Sequence, residues 1–359
     1  MTAGRTEDVA RLADVHAHLA GAREPRAAGP AADLDSLRRA YLDVLKLALC
    51  DLAGTSTRSV GALPDGRVVS RELHGDERRM RAAGLDWPYQ GTTMVGLGRL
   101  DDLQACVESI VADGVPGDLV EAGAWRGGAA VLMRAALDAL GEERTVWVAD
   151  SFAGFPAGDL AAMNFLAAPL DEVRDTFARF GCERGVRFVP GFFEDTLADL
   201  AGERWALVRL DADDYAPTRE ALRRLYPRLA RGGHLIVDDY GSFAGCRRAV
   251  DEFRAEHGIA EPLERVDSTC VRWRRVSEAP VPLPEPTPAR PARPPRAAVP
   301  RPARPEVPTA REVELAAQLT DLRARLAAAQ AELRRVRAAP PWRGARAWLR
   351  RRLAGGGTR

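Results

Sequence analysis

The 359-residue sequence predicts an α/β fold built on a mostly parallel sheet. Two observations carry the prediction. Short apolar runs of strand length alternate with longer amphipathic runs of helical length, the spacing of successive βαβ units. Acidic residues gather where the apolar runs end, and in such sheets ligands bind outside the carboxyl ends of the strands.

The strands are expected at Asp118–Ala122 (D-L-V-E-A), 145–149 (T-V-W-V-A), 186–189 (V-R-F-V), 206–210 (A-L-V-R-L) and 235–237 (L-I-V). Helices are expected at 128–139, after the first strand, at 171–180, before the third, and at 216–229, before the fifth.

Composition divides the chain further. Residues 1–36 mix Ala, Gly, Arg and Asp without a lasting period and read as a flexible arm; 37–275 carry the globular pattern. Residues 276–310 are rich in proline and arginine and suit an extended linker. In 311–338, Leu315, Leu319, Leu322, Leu326, Ala329, Leu333 and Val336 recur at steps of four and three, the seam of a short coiled coil and a basis for a homo-oligomer. An amphipathic helix folded onto its own domain would give the same pattern. Residues 339–359 form a basic tail in which Trp342 and Trp348 alternate with arginines. Such a tail suits peripheral contact with an anionic membrane at its inner face, or a solvated basic end.

A net charge of +1, no apolar run of membrane-spanning length and no secretory leader point to a cytoplasmic protein. Outside the basic tail, no aromatic interleaving of basic residues argues for nucleic acid. The cysteines Cys50, Cys106, Cys182, Cys246 and Cys270 are widely spaced, which suits reduced thiols in a core.

The first strand ends in E-A-G-A-W-R-G-G, Glu121 to Gly128. The spacing is not G-x-G-x-x-G, and no Lys-Ser/Thr opens the following helix, so a nicotinamide or nucleoside triphosphate is disfavoured. Glu121 beside a glycine turn, with Asp150 ending the second strand, instead suits S-adenosylmethionine. Glu121 would lie near the cationic methionine portion and Asp150 would accept hydrogen bonds from the ribose hydroxyls. The fourth and fifth strands end in Asp211 and in Asp238-Asp239, three carboxylates that need a cation if buried, and hard oxygen ligands favour Mg²⁺. Asp213, two residues on, could take a proton from a metal-held hydroxyl. The competing reading makes these aspartates caps, with Asp213 or Asp214 the natural one before A-P-T-R-E.

The runs G-L-D-W-P-Y-Q-G-T-T-M-V-G, D-L-V-E-A-G-A-W-R-G-G, V-W-V-A-D-S-F-A-G-F-P, G-F-F-E-D-T-L, R-L-D-A-D-D-Y and G-G-H-L-I-V-D-D-Y-G, in this order across 37–275, resemble the macrocin O-methyltransferase family. Its best-known members methylate sugar hydroxyls of macrolide and aminocoumarin antibiotics. The resemblance implies a class I methyltransferase fold, S-adenosylmethionine as donor, Mg²⁺ on Asp211, Asp238 and Asp239, and Asp213 as general base. It places donor binding on Thr93 and Met94, on Glu121, Gly123, Ala124, Trp125, Arg126, Gly127 and Gly128, on Asp150 and Ser151, and on Asp195. Two departures stand out. Gln90-Gly91-Thr92 replaces a stretch where the family usually carries a histidine, and D-A-D-D-Y-A-P-T adds Asp214 and Pro217 beside the base.

The acceptor expected on this reading is a sugar hydroxyl on a natural product or surface glycan, methylated by in-line transfer. A catechol or other vicinal diol is served by the same chelation chemistry. A catalytically silent glycan-binding scaffold is the reading from outside enzymology.

Overall fold

The computed structural model describes residues 34–62, 67–156 and 159–284. The expected linker beyond 284, the coiled coil and the basic tail lie outside the described residues, as does the expected arm as far as residue 33.

The first described helix, α1 (Leu34–Leu49), turns Leu42, Leu45 and Leu49 inward at helical spacing. It begins inside the stretch expected as an arm. An antiparallel hairpin follows, β1 (Arg58–Ala62) and β2 (Val68–Glu72), then α2 (Glu77–Ala82) and α3 (Leu97–Ala112). The βα units come next: β3 (Asp118–Ala122), α4 (Gly128–Leu140), β4 (Val146–Asp150), α5 (Leu170–Arg179), β5 (Val186–Pro190), α6 (Phe193–Thr196), β6 (Trp205–Leu210), α7 (Tyr215–Leu225), β7 (Leu229–Val237) and α8 (Ala244–Glu256). Two short strands, β8 (Glu264–Arg265) and β9 (Val271–Arg274), close the described fold.

The main sheet runs β5-β4-β3-β6-β7-β9-β8, parallel from β5 to β7, with β9 antiparallel to β7. This is the α/β, mostly parallel, class I methyltransferase architecture that the sequence predicts. The strand order reverses on either side of β3, so the crevice opens where β3 and β6 end.

Period two decides which side chain enters which layer. Leu119, Val146, Val148 and Leu207 face one apolar layer with α1, α3 and α4, whereas Val120, Ala149, Val208 and Leu210 face the other with α7 and α8. Helix α4 is buried at every residue from Gly128 to Leu137, and the one charge in that run, Arg134, is paired with Asp138 and with the carbonyls of Glu142 and Arg144. The hairpin and the antiparallel edge were not expected from the sequence. Their segments are short and half-polar, and β9 finds its place on the sheet only through β7, some forty residues earlier in the chain (His234 opposite Arg274).

The body also continues past 275. Arg275 donates to the carbonyls of Leu229 and Ala279, Glu261 accepts from the amides of Val276 and Ser277, and Val281 packs against the core. The start of the expected linker is therefore tied to the domain.

Candidate active site

Glu121 on β3 and Arg209 on β6 are register partners in adjacent parallel strands, so both side chains enter the same layer. The guanidinium Nη1 donates to Glu121 Oε1 at 2.6 Å, and neither side chain exposes more than 4% of its surface. The second oxygen, Glu121 Oε2, is buried without a partner. Burial pushes the Glu121 carboxyl up to about 8, against the pull of Arg209. Two residues on, Gly123 has φ of +93°, and a Cβ there would lie 1.7 Å from the carbonyl oxygen of Asp211. Only glycine lets the ends of β3 and β6 approach so closely.

The glycine turn is held by the neighbouring strand. Asp150 Oδ2 accepts from the amides of Ala124 and Trp125 at 2.8 and 3.1 Å, and its Oδ1 accepts from Phe152 N at 2.9 Å. Trp125, Phe152 and Asp213 all have positive φ (+48°, +49° and +57°), one at the end of each of β3, β4 and β6. Non-glycine residues in that region carry local strain, which concentrates where ligands are gripped.

Asp211, Asp213 and Asp239 each bring a carboxylate oxygen within 4.8 Å of the others. Asp239 Oδ2 also accepts from the amide of Asp213 at 3.1 Å. Burial, and then the neighbouring carboxylates, raise all three: Asp213 to about 7, Asp239 well above the usual range, and Asp211 in the same direction. Asp211 nevertheless keeps 31% of its side chain accessible, so it belongs to a cavity wall rather than to a closed core.

Asp238, expected in the same ligand set, is held by two guanidiniums. Its Oδ1 accepts from Arg209 Nη2 at 2.6 Å, and its Oδ2 accepts from Arg99 Nη1. Arg209 Nη2 also reaches Asp211 Oδ2 at 3.0 Å. Arg99, on the first turn of α3, is anchored by Asp267 at 2.7 Å and by Thr269 Oγ1. Asp267 in turn caps the turn before β9, accepting from the amides of Thr269 and Cys270. Neither arginine was singled out from the sequence. Arg209 left a signal, a lone charge inside an apolar strand run, whereas Arg99 left none.

These groups share one cavity of about 1460 Å³. Of the expected donor-binding residues, Thr93, Met94, Glu121, Gly123, Ala124, Trp125, Asp150 and Ser151 line it, together with all four aspartates. Arg126, Gly127, Gly128 and Asp195 are not among the lining residues. Arg126 donates to the carbonyls of Pro88, Tyr89 and Gly91, and so fixes the loop that carries the histidine departure. Gly127 and Gly128 sit where a Cβ would strike Phe177 and the Thr92 carbonyl. They serve packing at the start of α4. Asp214 caps α7 through its contact with the amide of Tyr215, and Pro217 lines the cavity. The capping reading therefore falls on Asp214, leaving Asp213 in the cluster.

Chains of known activity share this arrangement of sequence. Residues 59–275 match the family described as Macrocin-O-methyltransferase (TylF). A protein of Streptomyces olivaceus named 8-demethyl-8-(2,3-dimethoxy-alpha-L-rhamnosyl)-tetracenomycin-C 4'-O-methyltransferase is 44% identical over 257 residues, 68% of this chain and 95% of that protein. Mycinamicin III 3''-O-methyltransferase of Micromonospora griseorubida is 40% identical over 252 residues, 66% of this chain and 96% of that protein. The solved structure of the O-methyltransferase NovP is 38% identical with a TM-score of 0.59, covering 67% of this chain and 100% of that one. The chain belongs to the macrocin-O-methyltransferase family and is an S-adenosylmethionine-dependent O-methyltransferase.

Proposed function

We propose that this enzyme methylates a hydroxyl of a sugar on a glycoside, with Mg²⁺ in the acidic cluster and Asp213 as general base. The observation that carries the reading is the convergence of Asp211, Asp213 and Asp239 on the cavity that Glu121 and Asp150 also line. The sugar acceptor is supported by the Streptomyces olivaceus relative, which is named for a rhamnosyl compound. The cavity exceeds the roughly 300–1,000 Å³ typical of a single small-ligand site, leaving room for donor and acceptor together.

The residues fit both absent groups. Glu121 Oε2, buried without a partner at the cavity wall, suits the ammonium of the donor's methionine portion. Three mutually repelling carboxylates with hard oxygen atoms suit a divalent cation, with Asp211 and Asp239 as its first ligands. Asp238 would join them by exchanging one of its guanidiniums. When bound, the donor supplies a methyl on a sulfonium, and the cation lowers the pKa of a chelating hydroxyl.

The remaining work is done by the chain. Asp150 fixes the glycine turn, Gly123 brings β3 against β6, and Asp213 lines the cavity beside Asp211 and Asp239, where it could take the proton of a hydroxyl held there. Asp213, at positive φ, lines the cavity, whereas its neighbour Asp214 caps α7.

The test is calorimetric titration of S-adenosylmethionine, with and without Mg²⁺, into the wild type and Asp213→Asn, followed by turnover on a panel of glycosides and catechols. Asparagine tolerates positive φ, so the loop should keep its shape. The expected result is unchanged donor affinity with turnover reduced by about 10²–10⁴-fold, the usual worth of a general base. Unchanged turnover removes Asp213 from that role, and methylation of catechols alone removes the sugar.

A further inference from the structure

Asp238 stands beside Asp239 at the end of β7, one residue from the acidic cluster, yet both of its oxygens are engaged by arginine. The two arginines are not equally replaceable. Arg209 lies on a central strand, 4% exposed, and holds Glu121, Asp211 and Asp238 at once. If it withdrew, the buried Glu121 would lose its counter-charge. Arg99 lies at the cavity wall and has other partners. Its Nε and Nη2 reach both oxygens of Asp267, at 2.7 and 3.3 Å, and Nη2 also reaches Thr269. Losing Asp238 would leave Arg99 still paired within its own clamp.

We propose that Arg99 is a positioning residue for the reaction: it holds Asp238 while the cation is away and yields it to the cation as a further ligand. The inference rests on the cation reading above. The guanidinium gives Asp238 a charged hydrogen-bond partner in the buried wall, so the carboxylate stays oriented without metal. The cation then competes with one hydrogen-bonded arm of Arg99, and Asp267, which competes with Asp238 for the same guanidinium, keeps Arg99 paired as that arm withdraws.

The test is a titration of Mn²⁺ into the full-length protein, followed by electron paramagnetic resonance of the free ion. It compares wild type, Arg99→Met, Asp238→Asn and the double variant. Removing the competing arm should tighten binding about tenfold, and the gain should vanish when Asp238 is already asparagine. A gain of equal size in both backgrounds would mean that Arg99 acts only through general charge, and an unchanged or weaker affinity in Arg99→Met would make it purely structural. Either result overturns the proposal.

Asp267→Asn covers the case in which Arg99→Met does not fold. It frees Arg99 to grip Asp238 more tightly, so affinity should fall, and this fall too should require Asp238. Unchanged affinity in Asp267→Asn, or a loss that persists beside Asp238→Asn, overturns the proposal. If wild type and all variants bind no divalent ion, the cation reading itself fails, and this inference fails with it.

Discussion

Replacing Arg209 with methionine removes the one positive charge that, among the described residues, touches Glu121, Asp211 and Asp238 together. Methionine keeps most of the length and none of the charge. Because Arg209 and Glu121 are 4% and 1% exposed, water cannot take over the lost contacts. Breaking a buried pair from one side costs about 3–5 kcal/mol, mainly as the penalty of the carboxylate left behind. For a domain of this size each kilocalorie lowers the melting temperature by about 2–4 °C, so a fall of about 6–20 °C is expected. The control is Arg184→Met, whose partner Glu143 is 85% exposed and whose own side chain is 88% exposed. That pair should contribute less than about 1 kcal/mol. Equilibrium urea unfolding, read by tryptophan fluorescence, measures both. A loss in Arg209→Met no larger than in Arg184→Met would refute the argument that the site is assembled around a buried guanidinium.

Three further outcomes are expected. Gly123→Ala should abolish donor binding and destabilise the fold by several kcal/mol, whereas Gly61→Ala, with open space around it, should be close to neutral; thermal melts and calorimetry compare them. His234, 5% exposed with Nδ1 unpartnered, is held down to about 4 by burial, with Arg272 and Arg274 adding to it. The unfolded chain takes up this proton below about 6.5 and the folded chain does not, so its contribution is intact above that pH and is lost as pH falls from 6.5 through 4. Melting temperature should drop across that window in the wild type and drop less in His234→Leu. Equal slopes would remove His234 as the cause. Asp267, held down to about 2 by Arg99 against the effect of burial, should act in a separate and lower window.

The sequence by itself determined the βα alternation, the glycine turn after β3 and the aspartates at the ends of β6 and β7. Each of these depends on residues near one another in the chain. Period two carried Glu121 and Asp150 to strand ends, and a proline-free apolar run carried α4 into the core. Tertiary structure decided which charges meet. Asp211, Asp213 and Asp239 converge, while Asp238, expected in the same set, is turned to Arg99 and Arg209, residues 139 and 29 positions away in the chain. Cross-strand register set Arg209 opposite Glu121, and the packing of α3 against the turn before β9 placed Arg99. Ion pairing is short-ranged and indifferent to sequence separation. A carboxylate's identity was therefore legible in the chain, but its partner was fixed only when the sheet closed around it.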